Sequence, residues 1–328
     1  MIDINSALIK GFLRPKYGLL KDFNLNRIDD WDLREWLIEN GGNEGIVRGS
    51  SMLRALYDIP FAYENGDMEK PNFAAGASLR WAFRTFLTFR GHALYVPQTG
   101  FGEAVIAPYY EVLKARGVRF EFFHKLSRIE LSPNKNQVAS LHFDIQAETK
   151  DGSPYQPVWF EDGLYRWPIE PLWDQLKDGE GLKSRGARFE SHWNPCAPVS
   201  SRVIKHGEDF DLVVLGIAGT AMKKRNDEDQ LFCQELIDNS PEFAAWTGNL
   251  GTVCTSGVQF WFNKAVSDLG WEKRPATVGG PEPTDVWADM SQVLDTEHWS
   301  DVASPPQSLH YLCGPLPTTL FNEPASQS

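Results

Sequence analysis

Apolar positions along the chain keep a helical period at first and a strand period later. Leu33, Trp36 and Leu37 recur at i, i+3 and i+4 after Asp30, which can cap a helix, and Gly41-Gly42 supplies its stop. Ser50-Ser51 precede a second short pattern, Leu53, Leu56 and Tyr57, which Asp58-Ile59-Pro60 ends. From 72 to about 90 the residues Ala74, Ala75, Ala77, Trp81, Phe83, Phe86 and Leu87 predict a largely buried helix, with Arg80, Arg84 and Arg90 on one edge. Those arginines either receive an anion or form a solvated, ion-paired face. Residues 57–67 between the helices carry three rings and three carboxylates. Such carboxylates are general acids or bases if desolvated, and otherwise belong to a turn with Asn65-Gly66 at its tip.

The stretch 94–143 is the organising unit. Gly100 and Gly102 lead into Val105, Ile106, Tyr109, Val112 and Leu113 at helical spacing, with Pro108 fixing where the regular helix begins and Gly117 at its stop. Residues 118–123 are too apolar for a water-facing edge and predict an interior strand. Leu126, Ile129 and Leu131, then Val138, Leu141 and Phe143, predict a hairpin across Pro133-Asn134-Lys135-Asn136. Residues 146–198 are rich in Pro, Trp and Gly and read as loops and short strands. His192 and Cys196 stand four apart, but Pro195 intervenes and no second ligand pair is near, which argues against a metal.

Residues 209–221 give the second clear signal, a continuous apolar run passing into small residues, as in a buried parallel strand whose end meets ligand or backbone. Gly216-x-x-Gly219 is not a nicotinamide fingerprint: a charged run follows, Glu235 is the one acidic residue at suitable spacing, and no second strand comes after. Beyond it, 229–237 predicts a helix, 252–262 a strand, 275–283 a Gly/Pro loop and 286–294 a short helix. On that helix Asp285 and Asp289 would share a face, for metal binding or plain solvation. The Pro/Ser-rich tail from 314 reads as poorly ordered. There is no G-x-S-x-G elbow, H-E-x-x-H, P-loop or internal repeat.

Composition narrows the partners. A formal net charge of −12 and the absence of a basic run argue against nucleic acid. No apolar stretch approaches the roughly 20 residues that span a bilayer, and no basic leader opens the chain, so it reads as soluble and cytoplasmic. Cys196, Cys233, Cys254 and Cys313 are widely spaced and read as reduced, buried thiols. The 12 tryptophans and 20 phenylalanines suit either an aromatic core or a deep apolar cavity.

The order Gly-x-Gly, helix, Gly117, strand, Lys125-Leu126-Ser127-Arg128-Ile129 and hairpin resembles the middle of flavin-dependent amine oxidases and phytoene-desaturase-like enzymes. The phrases LRALYDIPFAYENGD, GFGEAVIAPYYEVLKARGVRFEFFHKL, DFDLVVLGIAGTA, VWADMSQVL and YLCGPL are closer still to a bacterial branch described as FAD-dependent or NAD(P)-binding oxidoreductases. The resemblance runs from about 30 to 316. It implies an α/β (α+β mixed) chain from the interior of a two-lobed flavoprotein. Residues 1–93 would be the helical part of a substrate lobe, 94–145 an FAD-lobe unit, 146–204 a loop-rich insertion, 205–222 an FAD-lobe strand, and 223–328 substrate lobe and flexible tail. It further implies that the backbone at Leu126 meets the FAD adenine, that Gly100 and Gly102 let the chain pass close to the cofactor, and that Gly216 ends an FAD-lobe strand.

Two departures accompany the resemblance. Nothing before Gly100 resembles the opening G-x-G-x-x-G unit that holds FAD pyrophosphate, and no closing Gly-Asp segment follows YLCGPL. The expectation is therefore an FAD-dependent oxidoreductase acting on an amine or carbon-skeleton substrate, present as a truncated frame or one half of a split pair. Its partner would be a missing chain or segment carrying the dinucleotide-binding βαβ unit. The alternative is a non-catalytic substrate-binding or partner subunit that has lost the flavin site. No catalytic residue is assigned.

Overall fold

The computed structural model describes residues 2–92, 95–191, 193–222, 231–271, 277–279, 286–300 and 302–316. Helix and strand are mixed, and the chain divides into two compact units, one of residues 1–99 with 251–328 and one of residues 100–250.

The first unit opens with helices α1 (Ile2–Leu13), α2 (Leu19–Asp22), α3 (Leu33–Glu39), α4 (Glu44–Gly49), α5 (Ser51–Asp58) and α6 (Ala75–Leu87). Their apolar stripes close on a core that includes Leu19, Ile28, Trp36, Leu37, Val47 and Tyr57. The cap of α3 is Asp32, two residues later than the sequence suggests. Its carboxylate accepts from Arg34 N at 2.9 Å, from Tyr57 Oη at 2.8 and 2.9 Å, and from Phe73 N at 3.0 Å. One side chain thus joins α3, α5 and the strand-like approach to α6. The α5 cap is Ser50, accepting from Leu53 N. Helix α6 lies so close to the Leu25–Ile28 turn that a Cβ on Gly76 would stand 2.0 Å from Leu25 O.

In the second unit a π-helical turn, Gly102–Ile106, leads into α7 (Ala107–Ala115). Strands β1 (His124–Leu131) and β2 (Val138–Ile145) form the expected hairpin, in register Leu126 to Phe143 and Ile129 to Leu141. A two-stranded hairpin follows, β3 (Trp159–Glu161) and β4 (Leu164–Arg166), then α8 (Gly179–Ser184). Strand β5 (Ser200–Lys205) falls at the end of the supposed loop insertion and pairs antiparallel with β2, giving the order β1-β2-β5. Helices α9 (Gln234–Asn239) and α10 (Pro241–Asn249) close the unit. Glu235 fastens α9 to the hairpin through Leu131 N at 3.1 Å and Lys135 Nζ at 2.8 Å.

The chain then returns to the first unit with β6 (Cys254–Phe262), β7 (Thr277–Gly279), β8 (Val286–Asp289) and β9 (Ser308–Leu316), in sheet order β6-β9-β8-β7.

Several expectations are corrected. Residues 118–123 and 209–221 form no strand: among the described residues they have no ladder, and their strand-like backbone pairing is confined to Phe123 O with Gln146 N at 2.8 Å and an isolated bridge of His206 to Phe210. The predicted helix at 286–294 is strand β8 followed by a 3-10 turn, Ser291–Thr296; pairing of Val286 to Asp289 with β9 overrides the local spacing. Asp289 is buried and accepts from Ser291 N and Oγ, while Asp285 lies outside the described residues. Residues 314–316 belong to β9 rather than to a loose tail. Cys233 is buried, but Cys254 is exposed and Cys196 and Cys313 are half-buried. His192 lies outside the described residues, as does most of the 275–283 loop.

Removing the phenol in Tyr57→Phe leaves the Asp32 carboxylate short of a buried donor and is expected to cost about 1.5–3 kcal/mol. Gly76→Ala forces α6 off the Leu25–Ile28 turn and is expected to cost on the order of 1–3 kcal/mol. Urea unfolding midpoints of both variants against the parent check this.

Candidate functional site

The four residues expected at a cofactor, Gly100, Gly102, Leu126 and Gly216, all lie in the second unit, so its construction decides what they can do. Before α7, Gly100 O accepts from Ala104 N at 2.9 Å, which starts the wide turn. Gly102 is small because a Cβ there would stand 3.0 Å from the Cβ of Trp167. The Trp167 side chain lies against this glycine. On the inner face of α7, buried Tyr110 packs against Phe120 at 4.7 Å, Phe122 at 6.1 Å and Trp167 at 6.0 Å between ring centroids. Gly117, with φ of 86°, then turns the chain out of the helix, and Val118 N closes on Leu113 O.

Residues 118–123 run on from that turn with Phe120 and Phe122 side by side, rings 6.3 Å apart and 21° from parallel. Phe123 takes a left-handed φ of 59°, held by ring contacts of 4.9 Å with both Tyr155 and Phe189, and so aims the chain into β1. Two cavities flank the run. One, of about 560 Å³, lies between α7, residues 118–124 and residues 147–156. The other, of about 970 Å³, is walled by Phe122, Phe123, Tyr155, Trp167, Trp173 and Phe189. Charged side chains line them too: Lys177 is paired with Glu148 and Lys183 with Glu170, while Arg119 borders the first cavity and Arg188 and Glu190 the second.

Leu126 sits in the β1–β2 ladder and joins the cluster of Ile129, Leu141 and Met222, against which Val213, Leu215 and Ile217 also pack. The structure therefore brings Leu126 and the run containing Gly216 together. Gly216 itself is open, with nothing within 4 Å of a would-be Cβ, whereas Gly219 is tucked under α10 with Leu250 Cδ1 at 2.4 Å. Gly102 lies against Trp167, and Gly100 starts the turn before α7. An FAD pyrophosphate is held by a glycine turn between a strand and a helix N-terminus. Helix α7 is entered through a π turn from a loop, and its glycine carries an indole, so the four residues do not by themselves make that cradle.

One polar cluster escaped the sequence reading. Across β1 and β2, Glu130 Oε2 accepts from Ser140 Oγ at 2.7 Å and lies 3.1 Å from His142 Nε2, and Arg128 Nη2 stands 3.3 Å from Oε1. Only the hairpin register places these four side chains on one face, and no local motif announces it. The residue types are those of a nucleophile triad, but the hydrogen bonds are not. Serine donates into the carboxylate rather than to the imidazole, and His142 meets both partners through the same nitrogen. The cluster holds the sheet and does not activate Ser140.

The carboxylates of 57–67 are also accounted for. Asp58 is buried and accepts from Tyr63 Oη. Burial first, and then the adjacent Asp58, raises the Tyr63 phenol above its ordinary range; burial and Asp32 do the same for Tyr57. The guanidinium of Arg34 lies 4.4 Å from the Tyr57 ring centroid. Of the arginine edge on α6, Arg80 is engaged with Asn26 Oδ1. Among the described residues no group of His, Cys, Asp and Glu could hold a metal, and no helix is long and apolar enough to cross a membrane.

Comparison with known protein families, curated proteins and solved structures finds no match to this chain.

The hydrogen bond from Ser140, then that from His142, and the neighbouring Arg128 lower the Glu130 carboxyl to about 2. A depressed carboxyl stabilises the native state above its unfolded pKa, and that contribution disappears as pH falls through the folded value. Ser140→Ala is therefore expected to move the Glu130 titration toward the ordinary carboxylate range. Side-chain NMR titration of Glu130 in parent and variant checks the shift.

Proposed function

We propose that this chain is part of an FAD-dependent oxidoreductase of the amine-oxidase type, one that oxidises a small amine or carbon-skeleton substrate with flavin as hydride acceptor. The observation that carries the reading is an order of elements. A helix, a strand-like apolar run, the antiparallel sheet β1-β2-β5 and a second strand-like apolar run follow in that order, with the β3–β4 hairpin and α8 inserted between β2 and β5. That is the order on which the resemblance to flavoprotein lobes rests, and the third strand of the sheet extends it. The residues of the chain supply the supporting layer: β1 and the 213–217 run share one apolar cluster, and aromatic side chains around Phe122 and Phe123 wall a cavity of about 970 Å³.

The absence of a cradle at Gly100 and Gly102 supports the companion half of the proposal, that flavin is held only when a dinucleotide-binding βαβ unit joins this chain. The same observation favours a second reading, a non-catalytic subunit that keeps a substrate-binding role. The two readings differ in colour. In the assembly purified natively from the source cells, the first expects flavin absorption bands that bleach anaerobically on adding an amine substrate. A colourless assembly containing the intact chain would favour the binding subunit.

A further inference from the structure

In a regular strand Phe122 and His124 would face one side and Phe123 the other. The left-handed φ of 59° at Phe123 breaks that alternation, and all three residues line the same cavity of about 970 Å³. Such a φ is uncommon for a residue carrying a ring. It is held by the contacts of Phe123 with Tyr155 and Phe189, which belong to the same wall.

Two polar side chains in that wall have acceptors to spare. His124 Nδ1 lies 2.5 Å from Phe122 O; a carbonyl oxygen only accepts, so Nδ1 carries the proton and Nε2 of the neutral ring is left as an acceptor. Gln146 is only 8% exposed and donates from Nε2 to Phe189 O at 3.1 Å. Among the described residues nothing donates to His124 Nε2 or to Gln146 Oε1. An amide oxygen on a side chain buried to that degree ordinarily has a partner. The charged residues of the wall, by contrast, carry both signs, with Glu121, Glu170 and Glu190 against Lys183 and Arg188, so charge selects no ion.

We propose that this cavity binds a flat aromatic molecule of two or more fused rings that carries a ring N–H or a phenolic O–H. Wall rings set at steep angles, 73° between Phe123 and Tyr155 and 67° between Phe123 and Phe189, offer both edges and faces to a planar guest. The volume is that of a site for a drug-sized ligand and exceeds what a single ring fills. The two acceptors select a donor on the guest, because a pure hydrocarbon would displace water from Gln146 Oε1 and leave it unpaired. This site goes beyond the flavoprotein reading and does not rest on it, since its walls and acceptors all come from residues of the second unit.

Calorimetric titration of the full chain without added flavin, at about pH 8 where an ordinary imidazole is neutral, tests the proposal with two matched pairs of probes. One pair is 2-naphthol and 2-methoxynaphthalene; the other is 3-methylindole and 1,3-dimethylindole. Within each pair methylation removes the donor and keeps the rings. The donor-bearing member of at least one pair is expected to bind about three- to tenfold more tightly than its methylated partner and to move the imidazole NMR signals of His124. The pair that shows the preference tells a hydroxyl from a ring N–H. His124→Phe and Gln146→Leu should each bring the ratio of the two affinities toward one. That ratio compares two ligands on one protein, so a general loosening of the fold does not imitate the effect, and if one variant fails to fold the other carries the test. The proposal would be overturned by no saturable binding of any probe below about 1 mM, by equal affinities within both pairs, by binding that leaves His124 unmoved, or by a ratio indifferent to both substitutions. The flavoprotein reading fails separately, on a colourless native assembly.

Discussion

Strand β2 pairs on both of its edges, with β1 from His124 to Leu131 and with β5 from Ser200 to Lys205, and the second unit is built outward from that double pairing. The ladder fixes which side chains share a face. It puts Ile129 and Leu141 beneath the 213–217 run, and Glu130, Ser140 and His142 together on the other face. It also fixes where the chain enters and leaves: β1 continues backward into 118–123, and β5 continues forward into 211–217. Both continuations remain apolar while losing their ladder, so the sheet stops for want of partners rather than for want of suitable residues.

Asp32 plays the corresponding part in the first unit. Its carboxylate receives a helix N-terminal amide, a buried phenol and the amide of Phe73, and the phenol in turn accepts from the same Arg34 amide at 3.0 Å. The Tyr63 to Asp58 bond repeats the device one turn away, which is why carboxylates that look available for acid-base chemistry are occupied with structure. Arg34, whose guanidinium lies 4.4 Å from the Tyr57 ring centroid, adds a cation to the same buried neighbourhood.

Much of the helical architecture was legible from period and cap residues, because these act within one turn. Leu33, Trp36 and Leu37, or Ser50 ahead of Leu53, declare themselves without knowledge of the rest of the chain. The hairpin was legible for a similar reason, its two apolar alternations flanking a polar turn. What failed depended on distant neighbours. Residues 286–294 fit a helical stripe, but β9 was waiting to pair with Val286 to Asp289. The cluster around Glu130 exists only in a particular cross-strand register. At the Gly-x-Gly of Gly100 and Gly102, Trp167 lies against Gly102, and sequence cannot say which side chain will fill such a gap. For 118–123 and 211–217, apolarity on both faces implies two covering layers and two flanking strands, a property of neighbours that these segments cannot create alone.

The contrast between two neighbouring edges sharpens what such a run means. Strand β5 is the outer strand of its sheet and carries the usual protections: Ser200, Ser201, Arg202 and Lys205 along its length, with Arg202 reaching Glu121 at 3.6 Å. The 212–217 run, reached only a few residues later, has no lysine, arginine or proline and shows two aliphatic side chains to water. Edge protection prevents unwanted pairing, and a chain that equips one strand with it and leaves the next bare is not indifferent to pairing at the second. Leu212 and Val214 offer no stability while exposed, and polar residues there would disturb nothing in the inward-facing set of Val213, Leu215 and Ile217.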